Sequence, residues 1–171
     1  MYVCALTIVL VSSFLDQLGA LGLGSLLLVL ITFFHVSTLD AIVSRYRRKT
    51  QNLRDRIAHP LAASRYFGGT ILLMLVLHLG DTCIWAFFLY GMKLVPNIHD
   101  AFYFTANTYT SLGYGDSPLS YSWRELSPLI AMSGLFTFAC TTSQLFTVMG
   151  YHHDIVLELI SKQKDRKAAT E

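Results

Sequence analysis

The sequence contains few charged residues, and long stretches of the chain have none. Only 14% of its residues are charged and 53% are hydrophobic, and the mean hydropathy is +0.48. This composition is typical of a membrane protein and argues against a soluble domain. The net charge of +2 gives no reason to expect nucleic acid as a partner, whereas the lipid bilayer is an expected one.

Cysteine is also scarce, and the patterns that mark enzymes are missing. The three cysteines, Cys4, Cys83 and Cys140, lie in apolar sequence at no metal-binding spacing, and their odd number argues against a disulfide framework. We interpret them as small packing residues. The sequence contains no nucleotide-binding fingerprint, catalytic triad or zinc motif. We therefore expect neither an enzyme nor a bound cofactor.

The basic residues are concentrated in two segments that flank apolar sequence. The first segment holds Arg45, Arg47, Arg48, Lys49, Arg54, Arg56 and Arg65, and the second holds Lys162, Lys164, Arg166 and Lys167. Because basic segments next to membrane spans tend to remain in the cytoplasm, we expect the loop at 45–65 and the C-terminus to be cytoplasmic. This arrangement predicts a multi-pass protein of the cell (plasma) membrane.

Three apolar blocks are each long enough to cross a membrane as a helix. They cover residues 1 to about 39, 67–95 and about 126–149, and a span needs about 20 residues. The first block would rise about 58 Å as one helix, which exceeds a single span. We favour three spans, with residues 1–16 as an extension, over a hairpin at DQLGALGLG that would give four. The predicted fold class is all-α integral membrane.

About thirty residues between the second and third blocks never reach the cytoplasm on this topology. They contain a short helical pattern, NIHDAFYFTANTYT, followed by SLGYGD and then SPLSYSWREL. A helix of about a dozen residues cannot cross the bilayer, but it can enter and return where protein surrounds its irregular backbone. We predict a re-entrant loop that enters from the outside.

Glycine alternates with other residues in the stretch SLGYG, which suits a backbone that points successive carbonyl groups the same way. Glycine adopts the positive φ that other residues resist. Four copies of the stretch around one axis would stack rings of carbonyl oxygens, which replace the water around a bare cation. The hydroxyl of Ser111 would add the innermost ring, and the preceding helix would direct its partly negative C-terminal end at the ion.

The stretch AFYFTANTYTSLGYGD closely resembles the pore helix and signature sequence of potassium channels, usually T-V-G-Y-G-D. Residues 67–150 as a whole resemble the two-helix pore module of the pore-loop potassium channel superfamily. The remainder resembles small bacterial ion-channel proteins with an extra N-terminal transmembrane helix. We therefore divide the chain into an N-terminal transmembrane segment (1–44), a basic cytoplasmic loop (45–65), the pore module (66–150) and a short cytoplasmic tail (151–171).

The resemblance implies a homotetramer that conducts K⁺ through a selectivity filter, and it assigns the residues of that filter. The filter residues are Ser111, Leu112, Gly113, Tyr114 and Gly115, of which the first four bind K⁺. The supporting residues are Tyr103 and Phe104 as an aromatic cuff, Asn107 as a hydrogen-bond donor toward Tyr114 or Asp116, Thr108, and Asp116 at the outer mouth.

Two filter residues depart from the family pattern. Ser111 replaces the usual threonine, which keeps the oxygen but loses a methyl group. Leu112 replaces the usual valine, and leucine lacks the β-branch that stiffens the chain. A softer filter favours a non-selective cation channel as the first alternative to a potassium channel. The second alternative is a non-conducting membrane subunit that uses the pore module only for assembly.

The third block resembles the inner helix of the module. Family members have a hinge glycine near the position of Gly134, although a glycine there would equally let the outer helix approach. Thr137, Thr141 and Gln144 share one helix face, which suits either a hydrated cavity or hydroxyl groups bonded to their own helix. The candidates for a hydrophobic gate are Leu145, Phe146 and Met149. The alternative is that these side chains face lipid.

His78, Asp81 and Trp85 form one polar stripe in the second block. A carboxylate within the membrane needs a partner. His78 is the local candidate, and His35 in the first block lies at a depth where it can join. We favour a structural clamp between helices, with a pH sensor at His78 and a proton relay at Asp81 as the alternatives.

Overall fold

The protein is built from four α-helices, which this computed structural model describes over residues 2–55, 60–114 and 118–168. The helices are α1 (Tyr2–Asp55), α2 (Pro60–Gly91), α3 (Ile98–Tyr109) and α4 (Leu126–Ala168), with a short 3₁₀ turn at Tyr121–Trp123. These described residues contain no β-strand. The predicted all-α fold is confirmed.

Three helical segments in the described part of the chain are long and apolar enough to cross a membrane. They are Phe14–Leu53, Leu61–Gly91 and Tyr121–Asp165. Large apolar side chains along them are exposed, including Phe33 at 73% and Phe87 at 64%, as expected where lipid is the solvent. α1 continues without a break through DQLGALGLG. The prediction of three spans is therefore confirmed, and the hairpin that would give four is wrong.

The basic segment at residues 45–65, predicted as a loop, is helical wherever the structure describes it. α1 continues to Asp55, and α2 begins at Pro60, where proline's missing N–H is not needed. Arginine, lysine, glutamine and leucine are good helix formers. The segment also buries side chains, since Tyr46 and Thr50 are at most 2% exposed. Its polar composition is therefore compatible with a packed helix.

The chain divides into two compact units, each with its own apolar core. The first unit comprises residues 1–35 and 79–138, and the second comprises 36–78 and 139–171. The first core contains Ile31, Trp85, Ala86, Leu89, Val95, Ala101, Tyr109, Leu119, Leu126 and Ile130. The second unit contains a cluster of Leu39, Val43, Tyr46, Met74, Leu77 and Val148, and a smaller one of Ala63, Ile155 and Leu159. All four helices contribute to the first core, which fixes the position of α3.

α2 ends in a Schellman motif in which lysine occupies the left-handed position. The backbone N–H of Leu94 donates to the carbonyl of Leu89 (3.0 Å), and that of Lys93 donates to the carbonyl of Tyr90 (2.9 Å). Lys93 has φ 57°. Glycine usually occupies this position because a Cβ is disfavoured there. The motif satisfies two terminal carbonyls of α2 and turns the chain toward α3.

Candidate functional site

α3 is the short helix that the sequence predicts between the second and third spans. Asn97 caps its N-terminus, and the side-chain oxygen of Asn97 accepts a hydrogen bond from the backbone N–H of His99 (3.1 Å). Asp100 lies in the first turn, where a negative charge complements the helix dipole. The 12 residues rise about 18 Å, which is much less than the ~30 Å of the hydrocarbon layer. α3 therefore cannot span the membrane.

The chain leaves α3 through a second Schellman motif, at the first residue of the SLGYG segment. The backbone N–H of Leu112 donates to the carbonyl of Asn107, and that of Ser111 donates to the carbonyl of Thr108, both at 2.9 Å. Ser111 has φ 56°. Positive φ was predicted for the glycines alone, so the conformation of this serine differs from the prediction. No sequence signal identifies it, because serine is not a residue that typically ends a helix in this way.

Gly113 has the backbone conformation expected of it. Its φ is +70°, and apart from Gly113 and its two chain neighbours no described residue has an atom within 4 Å of where a Cβ would be. The side chains on either side are largely uncovered, with Leu112 57% and Tyr114 70% exposed. Gly115 and Asp116 lie outside the described residues. The segment thus projects from the end of α3 without being enclosed by the described part of its own chain.

The predicted supporting residues of α3 differ in burial. Tyr103 is 60% exposed, whereas Phe104 packs against the first core. Asn107 is 9% exposed, and its Nδ2 atom has no hydrogen-bond partner among the described residues. Thr108 donates its hydroxyl to the carbonyl of Phe104 (2.8 Å), within its own helix. The aromatic cuff and the bond from Asn107 toward the filter remain predictions.

A chain of buried hydrogen bonds joins α3 to the other three helices within the first unit. Nδ1 of His35 lies 2.6 Å from Oδ2 of Asp81, and the hydroxyl of Tyr109 donates to the same oxygen at 2.9 Å. That hydroxyl also lies 2.6 Å from Oγ1 of Thr137. All four side chains are at most 1% exposed. Burial raises the pKa of Tyr109 above its ordinary value, so the hydroxyl keeps the proton that it donates.

The polar stripe predicted on α2 is buried throughout. His78, Asp81 and Trp85 are 7%, 0% and 0% exposed. Nε1 of Trp85 donates to Oγ of Ser133 (3.2 Å), which ties α2 to α4. Of the two histidines considered as partners of Asp81, His35 is hydrogen-bonded to it within the first unit. The pH-sensor and proton-relay interpretations remain predictions.

Gly134 is the point at which α4 touches α3. A Cβ at this position would clash with the carbonyl oxygen of Tyr109 and lie 2.8 Å from its carbonyl carbon. Gly134 therefore lies at a close helix contact, but the neighbouring helix is the short α3 and not the outer helix that the alternative interpretation expected. A hinge at Gly134 remains a prediction.

Thr137 does not have the environment that was predicted for it. It is fully buried, and its Oγ1 lies 2.9 Å from the carbonyl oxygen of Ser133 and 2.6 Å from the hydroxyl oxygen of Tyr109. Because Tyr109 donates its proton to Asp81, the single hydroxyl proton of Thr137 is shared between these two acceptors. Its predicted role in lining a hydrated cavity is therefore wrong, and the alternative of a hydroxyl bonded to its own helix is confirmed. Thr141 is half-buried in the second unit, and its cavity role remains a prediction.

The candidate gate residues belong to the second unit. Leu145 is half-buried and packs against the core of that unit. Phe146 and Met149 are 68% and 47% exposed, so these two are available to a pore, a partner or lipid. The gate itself remains a prediction.

Comparison with known proteins bears on the same part of the chain. Residues 68–151 match the protein family described as "Ion channel". The match covers most of α2, all of α3, the SLGYG segment and α4 as far as residue 151, which is close to the pore module predicted at 66–150. No curated protein and no solved structure matches the chain. The resemblance inferred from the sequence is confirmed.

Proposed function

Because residues 68–151 belong to the ion-channel family, we propose that the protein is a potassium-selective channel whose pore forms where four copies of the SLGYG segment meet. The observation that carries the proposal is the position of this segment. It follows a short non-spanning helix between two membrane-spanning helices, with Gly113 at positive φ. Such a backbone presents carbonyl oxygens to a dehydrated cation. The permeant K⁺ would bind from Ser111 to Tyr114.

Assembly is required because one copy of the segment cannot surround an ion. Tyr103, Leu112 and Tyr114 are between 57% and 70% exposed in the single chain. Large exposed side chains next to a segment that needs a fixed conformation are expected to be buried in an interface. Their exposure in the single chain therefore supports an interface with further copies of the same chain. A homotetramer with its axis along the pore provides four equivalent copies of each carbonyl group.

We propose the plasma membrane as the location, with the basic segment and the C-terminus in the cytoplasm. The filter then faces the outside, and α4 runs from the filter toward the cytoplasm as the inner helix. Phe146 and Met149 lie toward the cytoplasmic end of this helix, where their exposed side chains suit a hydrophobic constriction.

Ion flux into liposomes that contain only this protein tests the proposal. We expect K⁺ flux and a bi-ionic reversal potential that strongly favours K⁺ over Na⁺. Equal permeability to both ions would support the non-selective alternative, for which Ser111 and Leu112 are the specific reason. A folded, assembled protein without any flux would support the non-conducting alternative.

The variant Gly113→Ala links flux to the filter segment. A methyl group penalises the left-handed backbone by about 1–2 kcal/mol in each subunit, and it meets no atom of the described chain. We therefore expect loss of selective conduction with assembly preserved. Gly150→Ala is the control, because Gly150 lies in α4 in open space. Normal selective currents from Gly113→Ala would contradict the filter assignment.

A further inference from the structure

We propose that a groove between α1 and α2 binds the headgroup of an anionic phospholipid. The groove lies within the second unit and has a volume of about 160 Å³. Its lining consists of Ile42, Arg45, Tyr46 and Lys49 from α1, and Arg65, Tyr66, Gly69, Thr70 and Leu73 from α2. Three of these nine residues are cationic and none is acidic, so the groove is complementary to a negatively charged group.

The three cations of the groove are available to a ligand. Arg45, Lys49 and Arg65 are exposed, and the ion pairs formed among the described side chains involve none of them. Nζ of Lys49 lies 4.9 Å from the ring centre of Tyr66 on the opposite wall, a cation–π contact that holds the ammonium group in the groove. Convergent cations without an acidic partner are the usual basis of phosphate recognition.

The groove changes from cationic to apolar along its length. α1 and α2 are connected by a short segment, as in an antiparallel helix pair, and Lys49 and Tyr66 contact each other near the connection. Seven residues further from the connection along each helix, Ile42 and Leu73 line the same groove. Seven residues correspond to about 10 Å. A phospholipid matches this polarity, because its phosphate can bind at the cationic end and its acyl chain can pack at the apolar end. A free phosphate has no group that would contact the apolar end.

The position of the groove favours a lipid as the occupant. It lies where the apolar sequence of both membrane-spanning segments gives way to basic residues. Anionic lipids accumulate against juxtamembrane basic segments, and basic pockets between membrane helices bind their headgroups. The lining offers charge rather than a specific pattern of hydrogen-bond acceptors. We therefore expect preference for anionic over zwitterionic lipids, with little discrimination among anionic headgroups.

Native mass spectrometry of the full-length protein, purified in detergent, measures this binding directly. The probes are phosphatidylglycerol, phosphatidylcholine with the same acyl chains, and inorganic phosphate. We expect bound phosphatidylglycerol at concentrations where phosphatidylcholine is not retained, and phosphate should not displace it. Displacement by phosphate at comparable concentration would contradict a lipid site, and equal retention of both lipids would contradict recognition by charge.

Two double variants on the same helix distinguish phosphatidylglycerol binding at a defined site from diffuse electrostatic attraction to the basic segment. Arg45→Gln with Lys49→Gln removes two charges from the groove, and Arg47→Gln with Arg48→Gln removes two charges from the same turns of α1 outside it. Each groove charge should be worth about a fivefold change in affinity, so we expect about a 25-fold loss for the first pair and little loss for the second. Equal losses from both pairs, or none from the groove pair, would overturn the proposal.

Arg65→Gln provides a second test from the opposite wall, in case the α1 double variant does not fold. It should weaken phosphatidylglycerol binding about fivefold and leave phosphatidylcholine unaffected. Unchanged phosphatidylglycerol binding would show that α2 takes no part and would overturn the groove. This measurement does not depend on ion conduction, so its outcome is independent of the proposed channel function.

Discussion

Replacing Gly134 by alanine should destabilise the protein, because the added methyl group has no room. A Cβ at this position clashes with the backbone carbonyl of Tyr109 and also lies 3.2 Å from Cγ of its ring. A carbonyl in a helix cannot rotate aside as a flexible side chain does, so α3 and α4 would have to separate. Overpacking of this kind costs about 1–3 kcal/mol. For a chain of this length, we expect a thermal midpoint lowered by about 2–12 °C.

Gly150→Ala is the matched control, since Gly150 lies in the same helix with no atom of the described chain near its missing Cβ. There alanine removes the helix penalty of glycine, about 1 kcal/mol, and should raise the midpoint by about 2–4 °C. Far-ultraviolet circular dichroism during heating of the purified protein measures both shifts. If Gly134 acts only as a hinge, alanine should also raise the midpoint there while altering gating. A rise at both positions would refute the steric reasoning.

Three further substitutions test the filter, the hydrogen-bond chain and the end of α2. Leu112→Val should sharpen selectivity for K⁺ over Na⁺ because the β-branch stiffens the chain; a reversal potential that stays constant or moves toward Na⁺ contradicts the soft-filter interpretation. Tyr109→Phe keeps the ring but removes the hydroxyl that donates to Asp81, and should cost about 1–3 kcal/mol of stability. The control Tyr121→Phe, at a tyrosine that is 71% exposed, should cost almost nothing, and equal thermal midpoints for the two variants would show that the buried bonds contribute little. Lys93→Gly removes the Cβ that is disfavoured at the left-handed φ of this position. It should increase the free energy of unfolding by up to about 1 kcal/mol and so raise the thermal midpoint. A lower midpoint would show that the lysine side chain stabilises the turn.

The helical layout could be predicted because its signals are local. The long apolar blocks, the short helical pattern and the pattern of glycines each occupy one continuous stretch of sequence. Gly113 has positive φ as expected, since glycine is the residue that adopts it without cost. The extent of α1 was underestimated because the polar segment 45–65 was interpreted as a loop. Basic residues also form helices that pack through one buried face.

The contacts around Tyr109 could not be predicted because they join distant parts of the chain. His35 and Asp81 are 46 positions apart, and Tyr109 is 28 positions from Asp81. No sequence pattern selects one buried histidine over another when both lie at a suitable depth. Gly134 was ambiguous for a different reason, since a hinge and a close contact both require glycine and only the neighbouring helix distinguishes them.

The participation of α1 in the first unit has a consequence for modularity. The residues that match the ion-channel family begin at 68, yet His35 of α1 is bonded to Asp81. Gly24 of α1 also approaches α4 so closely that a Cβ there would lie 2.6 Å from the side chains of Leu126 and Leu129. A fragment starting at α2 would lose both contacts and leave a membrane carboxylate without one of its donors. The family boundary at residue 68 is therefore not a folding boundary, and a segment transplanted from this protein into another one would have to include α1.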